Sequence, residues 1–590
     1  MVSAREKRRS NAAKNRRELI AAGFTRRDLV KMGLVTSAGW LIPKRGLSAR
    51  ALDSAGDDEG QTRSPYTTPF CERLVIMPVK TSVVSLSPAP TAAPQSGEGR
   101  RREHQDFARF PAQEFCEIVQ QPAFVSMSPD LPPQLIWGYD GITPGPTYVG
   151  RYGKPMLVRN HNRLSTVNGG FGKASVSTHL HNSHSPSESD GHPCDFFEIG
   201  EFYDHCYPNY PSGGDPNESM STLWYHDHRV AFTSQNVYKG LAGFYLLYNE
   251  SDTGDETTGF HLPGVPNGTG GSDFDVPLAF GDKVFDSDGV LFFDLFNLDG
   301  ILGDKFTVNG KIQPFFEVHP RRYRFRLLNA GPSRFYEFFL TDSQNLNNTI
   351  QFWQISNDGN LLPGPEQVTS TRISVAERMD VIIDFSHLAG KSIYLENRLV
   401  QTDGRAPKEG LTAAGAGNFV MRFDVVRPPV ADNSQDPATP GVHYYDLPPM
   451  DPTVITRRFR FDRTNGNWAV NGKLFDVCTP TDQATPRFRV KRNTAEKWIL
   501  QNSSGGWQHP IHIHFEEFRM LSRNGVQPPP VERGRKDVAR LQFDEEIVVY
   551  FKFSDFIGQY PMHCHNVVHE DHEMMLSFEI DDEGDRRTEP

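Results

Sequence analysis

The segment HCHNVVHEDHEMM, residues 563–575, decides how this chain is interpreted. Its first ten positions hold four histidines and one cysteine, and two methionines close it. On a β-strand, residues i and i+2 point to one face about 7 Å apart, whereas residue i+1 points to the other face. His563 and His565 can therefore share one face while the Cys564 thiol points the opposite way. The segment predicts two kinds of metal site on one strand.

Three further clusters supply partners: HLH at 179–181, HDH at 226–228 and HPIHIH at 509–514. A single H-x-H pair is weak support for a metal site, but this chain has four, each beside strand-like sequence. Four pairs offer eight imidazoles, enough for three metal ions. The eight residues are His179, His181, His226, His228, His512, His514, His563 and His565.

The cysteine side of the strand predicts a fourth metal site. His509 and His569 are free to join Cys564 there. One thiolate, two imidazoles and a weak axial methionine describe a blue-copper electron-transfer site. Met574 is the expected axial ligand, with Met575 as the alternative. Zinc fits less well, because structural zinc usually uses more thiolates and catalytic zinc needs only three protein ligands.

Length and composition limit the remaining possibilities. A chain of 590 residues is too long for one core and indicates two to four domains. The 44 prolines and 11% aromatic residues suit a loop-rich β protein. A net charge of -11 argues against nucleic-acid binding. Six cysteines are too few for a disulfide scaffold, and a bridge between Cys194 and Cys206, which bracket a loop, is left open.

Residues 1–51 predict a twin-arginine-type export signal. The segment TRRDLVK (25–31) resembles that signal, and the apolar run at 32–43 is too short to span a bilayer. Residues 49–51, Ala-Arg-Ala, form a small-x-small cleavage site. We therefore expect a bacterial protein that the twin-arginine machinery exports folded, to the periplasm or the medium, without stable membrane insertion.

The rest of the chain predicts repeated β domains. Residues 52–110 are rich in Pro, Ser, Thr and Arg and predict a flexible, exposed segment. Alternating stretches such as RRYRFRLLNA (321–330) predict strands. VNGK occurs at 308–311 and 470–473, and WGYDGITPGPT (137–147) has a similar place earlier. We expect three β-sandwich domains at 111–252, 253–427 and 428–583.

These motifs, ending in HCHxxxHxxxxM, resemble the multicopper oxidases over residues 111–580. LWYHDHR (223–229) and HNVVHEDHEMM (565–575) look like the bilirubin oxidase and spore-coat laccase subgroup. The resemblance implies an all-β fold of three cupredoxin-like Greek-key β-sandwich domains and four copper ions. It implies a type 1 copper on His509, Cys564, His569 and Met574, and a type 2 copper on His179 and His512. It implies a type 3 pair, with His181, His226 and His565 on one ion and His228, His514 and His563 on the other.

The same resemblance implies an enzyme. It would couple one-electron oxidation of phenolic or tetrapyrrole donors to four-electron reduction of dioxygen to water. Asp190 and Glu570 match acids that supply protons, with Glu188 as a third candidate, and Asp227 is expected to face away. Trp507 matches a tryptophan beside the type 1 copper of bilirubin oxidases, although loop packing explains it equally well.

Three other functions stay open. One is a metal-ion oxidase acting on Mn(II) or Cu(I), although only 13 methionines and no methionine-rich run disfavour Cu(I). Another is an o-aminophenol-coupling oxidase, since such enzymes share the SDG-x-P element. The third is an electron carrier without oxygen chemistry, which would not need eight additional histidines. We expect a monomer, and we expect the acidic, aromatic insertion at 194–218 to be a solvated loop without an assigned role.

Overall fold

The computed structural model describes residues 64–264, 273–407, 410–475, 478 and 485–590. Within those ranges the chain forms 33 β-strands, helices α1 (Thr233–Lys239) and α2 (Val567–Asp571), and 3-10 turns at Ser212–Gly214 and Pro530–Glu532. The predicted all-β fold class is confirmed. The predicted export signal at 1–51 lies outside the described residues.

The first sandwich holds the first two histidine clusters. Its strands are β1 Glu114–Val125, β2 Gln134–Tyr139, β3 Gly145–Arg151, β4 Met156–Asn162, β5 Thr178–His181, β6 Phe202–Tyr207, β7 Thr222–Asp227 and β8 Ala242–Tyr248. One sheet has the order β2-β1-β4-β6 and the other β3-β8-β7-β5. In β1, Cys116 and Ile118 are buried and their neighbours are half-buried, as expected for a sheet with one face on a core.

The second sandwich carries no histidine cluster. Its strands are β9 Asp275–Phe285, β10 Leu291–Phe292, β11 Lys305–Val308, β12 Lys311–Ile312, β13 Phe315–Glu317, β14 Arg322–Asn329, β15 Tyr336–Asp342, β16 Asn345–Ile350, β17 Phe352–Asn357, β18 Asn360–Val368, β19 Thr371–Ile373, β20 Arg378–Asp384, β21 Ser392–Asn397 and β22 Asn418–Asp424. The sheets run β12-β11-β9-β14-β20-β17-β18, with β10 on β9, and β13-β22-β21-β15-β16, with β19 on β15. In β14, Tyr323, Phe325 and Leu327 enter the core, as the alternation predicted.

The third sandwich holds the other two histidine clusters. Its strands are β23 Thr453–Thr464, β24 Asn467–Val470, β25 Arg489–Lys491, β26 Thr494–Asn502, β27 His509–Ile513, β28 Phe518–Arg523, β29 Arg535–Lys536, β30 Val538–Leu541, β31 Glu546–Phe553, β32 Gly558–Cys564 and β33 Met575–Asp581. The sheets run β24-β23-β26-β31-β28-β29 and β25-β33-β32-β27-β30. Aromatic residues from both sheets, including Phe459, Trp498 and Phe578, fill the core between them.

The three sandwiches share one topology. The first strand of each pairs in parallel with a later strand, in β1–β4, β9–β14 and β23–β26. A second parallel pair recurs in β3–β8, β13–β22 and β25–β33. The repeated sequence motif forms a two-residue turn with both φ angles positive each time: Asp140–Gly141, Asn309–Gly310 and Asn471–Gly472. The faint sequence repeat therefore marks the same turn of three related cupredoxin-like units.

The structure describes residues 64–110 of the segment predicted to be flexible and exposed. These residues form no helix or strand, many of their side chains are exposed, and they hydrogen-bond through backbone and side-chain atoms to all three sandwiches. Three of these hydrogen bonds are Leu74 N to Phe315 O at 2.7 Å, Gly99 N to Phe202 O at 2.7 Å, and Gln105 Nε2 to Ile557 O at 2.8 Å. We call residues 64–110 the N-terminal arm.

The prediction that residues 194–218 form a solvated loop is wrong in part. This insertion contains β6, which is mostly buried and pairs with β4. The possible bridge between Cys194 and Cys206 is not formed, because Cys194 is bonded to Cys478 and Cys206 is a free cysteine in β6. The disulfide fastens the first sandwich to the third. The helices within the described ranges are all too short or too polar to cross a bilayer.

Candidate metal centres

The register of two strand pairs assembles the histidine clusters. β5 and β7 are antiparallel, with His179 opposite His226 in the first sandwich. β27 and β32 are antiparallel, with His512 opposite His563 in the third sandwich. Because residues i and i+2 point to one face, each strand offers two imidazoles to the space between the sandwiches. All eight clustered histidines are buried.

One group, which we call the first triad, consists of His228, His514 and His563. Their Nε2 atoms are 3.2 Å apart in every pair. The centre of that triangle lies about 1.8 Å from each nitrogen, close to the metal–imidazole distance of about 2.0 Å. Each Nδ1 faces a carboxylate, Glu570 at 3.1 Å for two of them and Asp190 at 2.8 Å for His514. The three Nδ1 atoms thus face carboxylates on the outside, and the three Nε2 atoms converge on one point.

The remaining cluster histidines form a second triad and a pair. The second triad is His181, His226 and His565; the pair is His179 with His512, and His181 lies within ligand distance of both groups. Nε2 of His179, His226 and His512 and both ring nitrogens of His565 have no hydrogen-bond partner in the described part of the chain. Burial lowers the pKa of His226 to about 3 and holds the pKa of His179 and His565 well below the usual value. Neutral, unpaired imidazoles converging in a buried space fit metal ions.

The fourth group, the cysteine group, lies on the opposite face of β32. Cys564 Sγ is 3.5 Å from His509 Nδ1 and 3.6 Å from His569 Nδ1, and the two nitrogens are 3.2 Å apart. Met574 is fully buried in the same core cluster, and its carbonyl accepts the Cys564 N–H at 3.0 Å. Burial raises the pKa of the Cys564 thiol well above its usual value. A cation at this position is what would hold the thiolate form.

The two acids predicted as proton donors both touch cluster histidines. Asp190 bonds to His514 through its carboxylate and accepts the His179 Nδ1–H through its carbonyl at 2.5 Å. Burial raises the pKa of Asp190 well above its usual range. Burial alone would raise the pKa of Glu570 too, but His563 and His228 hold it well below its usual range.

Two other acids do not reach the cluster. Asp227 faces away and accepts hydrogen bonds from Ser177 N and Asn236 Nδ2, both at 2.9 Å. Glu188 accepts from the backbone and side chain of Gln105 in the N-terminal arm, at 2.7 and 2.9 Å. Glu188 therefore holds the arm rather than contacting a candidate ligand.

Asp537 is a site residue that the sequence did not indicate. It directly precedes β30, its Oδ1 accepts the His181 Nε2–H at 2.8 Å, and its carbonyl accepts the His512 Nδ1–H at 2.9 Å. The Arg378 guanidinium, from the second sandwich, is paired with its carboxylate. Burial raises the pKa of Asp537 to about 7. One carboxylate in RKDVAR carries no pattern that distinguishes it from a surface charge, so only the fold reveals it.

Trp507 lies near the cysteine group without contacting its rings. Its Nε1–H donates to Asp299 Oδ1 at 3.2 Å, and its ring meets Trp468 at a centroid distance of 5.2 Å. Trp468 packs on both histidines of the group, with ring-centroid distances of 4.1 Å to His569 and 5.4 Å to His509. Sequence reasoning missed this residue. A strand tryptophan in a hydrophobic run gave no signal beyond ordinary core packing.

The fold and these four groups define a class: a β-sandwich protein that buries several candidate metal centres, one of them with a cysteine. Family models described as multicopper oxidase match residues 124–252 and 446–584. The chain is 37% identical over 472 residues to a bilirubin oxidase from Albifimbria verrucaria, covering 79% of this chain and 76% of that protein. It is 32% identical to a laccase from Bacillus stratosphericus, covering 80% and 95%. A solved laccase from Pediococcus acidilactici has the same fold, with a TM-score of 0.67 at 22% identity over 88% of this chain and 96% of that one.

The chain therefore belongs to the multicopper oxidase family, and it is a copper-dependent oxidoreductase. The geometry suits that family, because the donor set is imidazole and thiolate with one buried thioether, which are ligands that copper accepts.

Proposed function

We propose that this protein holds four copper ions. The type 1 site would be the cysteine group with Met574 as axial ligand, and the type 2 site would be the pair His179 and His512. The second and first triads would each hold one ion of the type 3 pair. The converging, unpaired ring nitrogens described above support this assignment.

We propose that the enzyme couples one-electron oxidation of phenolic or tetrapyrrole donors to four-electron reduction of dioxygen to water. Bound copper supplies the one-electron redox chemistry, and the protein supplies placement and electrostatics. The observation that carries the proposal is β32: Cys564 faces the cysteine group, and its chain neighbours His563 and His565 each belong to a triad. Two covalent paths, each across one peptide unit, thus join Cys564 to the buried histidine cluster.

We propose that Asp190 and Glu570 supply protons to the buried cluster. Reduction of dioxygen to water consumes four protons, and a positioned carboxyl group can deliver them as a general acid. Asp190 reaches His514 at 2.8 Å, and its second oxygen is buried without a hydrogen-bond partner among the described residues. Glu570 spans two histidines of the first triad at 3.1 Å each.

We propose organic donors rather than metal ions as substrates, and the charges beside the cysteine group support this choice. The guanidinium of Arg405 lies 4.3 Å from the Trp507 ring, and that of Arg463 lies 4.8 Å from the Trp468 ring. Arg405 is also paired with the Asp299 carboxylate at 2.9 Å, so the support comes from the guanidinium groups on the two indoles, which suit electron-rich aromatic donors better than Mn(II) or Cu(I). Mn(II) would prefer oxygen ligands, and Cu(I) would prefer thioethers.

We also propose export by the twin-arginine machinery to the periplasm or medium, a monomer, and domain boundaries at 111–252, 253–427 and 428–583. The strand ranges of the three sandwiches support these boundaries.

The deciding experiment is an oxygen-uptake screen on copper-loaded protein with bilirubin, a dimethoxyphenol, o-aminophenol, Mn(II) and Cu(I). We expect turnover with bilirubin or the phenol and one dioxygen consumed per four electrons. Adding catalase should release no oxygen, because no hydrogen peroxide accumulates. The variant Cys564→Ser should lose this turnover. Cys206→Ser, which removes a free thiol outside the site, is its matched control. Oxygen uptake with Mn(II) or Cu(I) and with none of the organic donors would show that the substrates are metal ions. Well under four coppers per folded chain would refute the assignment of four copper sites.

A further inference from the structure

Trp468 is presented by a tight hairpin. β23 and β24 are joined by Asn465–Gly466, both with positive φ, as in a type I′ turn that fixes strand register. That register places Trp468 directly opposite Arg463, whose guanidinium lies 4.8 Å from the Trp468 ring centre. Cross-strand partners and a cation over the indole face hold the ring in one orientation.

Trp468 packs directly on the two imidazoles of the cysteine group. It is 1% exposed, its ring lies 4.1 Å from His569 and 5.4 Å from His509, and it touches both imidazoles. Among ring contacts in the described part of the chain, Trp507 meets Trp468 but neither histidine. The order outward is therefore imidazole, Trp468, Trp507.

A short segment of the second sandwich fixes this order. The Leu298 carbonyl accepts the Trp468 Nε1–H at 3.2 Å, and the Asp299 carbonyl accepts the His569 Nε2–H at 3.1 Å. The Asp299 carboxylate accepts the Trp507 Nε1–H at 3.2 Å. Two adjacent residues thus anchor both indoles and one candidate ligand, so the rings cannot shift independently.

We propose that Trp468, and not Trp507, is the positioning residue of the type 1 site, because it is the indole that packs on both of the imidazoles. This inference rests on the proposed function. A bulky indole on both imidazoles keeps water away, and the surrounding low dielectric disfavours the more highly charged oxidised state, which raises the reduction potential. The same ring lies between His569 and the Trp507 indole.

The test uses full-length, copper-loaded protein and the variants Trp468→Leu, Trp468→Phe and Trp507→Phe, with Trp353→Phe in β17 of the second sandwich as the matched control away from the cysteine group. Two quantities are measured: the potential of the type 1 site by redox titration of its visible absorption, and the rate of anaerobic bleaching by ferrocyanide. We expect Trp468→Leu to lower the potential and slow bleaching at least about tenfold and Trp468→Phe to lie between it and wild type. Trp507→Phe should leave the potential at the wild-type value, and Trp353→Phe should leave both quantities unchanged.

Folding is checked by circular dichroism and copper content. If Trp468→Leu does not fold, the comparison of Trp468→Phe with Trp507→Phe decides, because only the former loses a ring contact with His569 and His509. Equal potentials for those two variants, or a larger shift of the potential in Trp507→Phe, would overturn the inference. A wild-type protein without visible absorption or bleaching would instead refute the proposed function.

Discussion

Replacing Glu570 with glutamine tests how the first triad is held. The carboxylate lies 3.1 Å from His228 Nδ1 through Oε1 and 3.1 Å from His563 Nδ1 through Oε2. It is 2% exposed, so water cannot substitute for it. Glutamine has one oxygen and one NH₂ group. It can accept from only one imidazole and must point donors at the other.

The expected size of the effect follows from that geometry. One hydrogen bond to a charged group is lost, worth about 1.5–3 kcal/mol. Each 1.4 kcal/mol corresponds to about tenfold in an equilibrium constant. Glu570→Gln should therefore weaken copper binding at the first triad by about 10- to 100-fold, the range typical for residues that orient metal ligands. The cysteine group, on the opposite face of β32, should keep its copper.

The assay is copper content after dialysis against chelators of rising affinity, with electron paramagnetic resonance to tell the copper types apart. Glu546→Gln is the control, because Glu546 forms a surface pair with Arg458 in which both side chains are about two-fifths exposed, at 38% and 41%. The reasoning is refuted if Glu570→Gln retains all its copper at every chelator strength that wild type tolerates.

Three further predictions concern other parts of the molecule. Cys564→Ser should abolish the intense visible absorption and all turnover while the cluster coppers stay bound, as metal analysis would show. Burial lowers the pKa of Lys283 to about 7. The folded state therefore binds fewer protons than the unfolded chain from about pH 7 to 10.5, and stability falls as pH drops through that range. The Tm of Lys283→Met minus the Tm of wild type should therefore increase as pH falls from about 10 to 7. A Tm difference that does not change with pH would contradict this prediction. Arg378→Leu leaves the buried Asp537 charge unpaired and should cost about 3–5 kcal/mol of unfolding free energy in denaturant titrations, against at most about 1 kcal/mol for the surface control Arg458→Leu.

The sequence made the candidate ligands predictable because strand geometry is a local property. Spacing i, i+2 determines that His563 and His565 share a face and Cys564 does not, wherever the strand lies. The structure brings these residues together with the distant histidines named from the four clusters. The alternation of Tyr323, Phe325 and Leu327 in β14 worked for the same reason, since the period of a strand needs no knowledge of its neighbours.

What the sequence could not supply were contacts set by tertiary packing. Asp537 lies 356 residues from His181, and Trp468 lies 170 residues from Leu298. Nothing in their local pattern separates them from a surface acid or a core indole. Cys194 pairs with Cys478 at a sequence separation of 284, not with the nearer Cys206. Composition could not show where the N-terminal arm lies, because Pro- and Ser-rich sequence does not reveal which strand edges provide its hydrogen bonds.

The position of β32 has a consequence for protein synthesis. Both triads and the cysteine group would each take a ligand from His563, Cys564 or His565, which follow the histidines of the three earlier clusters along the chain. A polypeptide released early by the ribosome lacks a member of each of these three centres at once. Unfinished copies would thus be redox-silent instead of leaking superoxide or peroxide inside the cell that makes them.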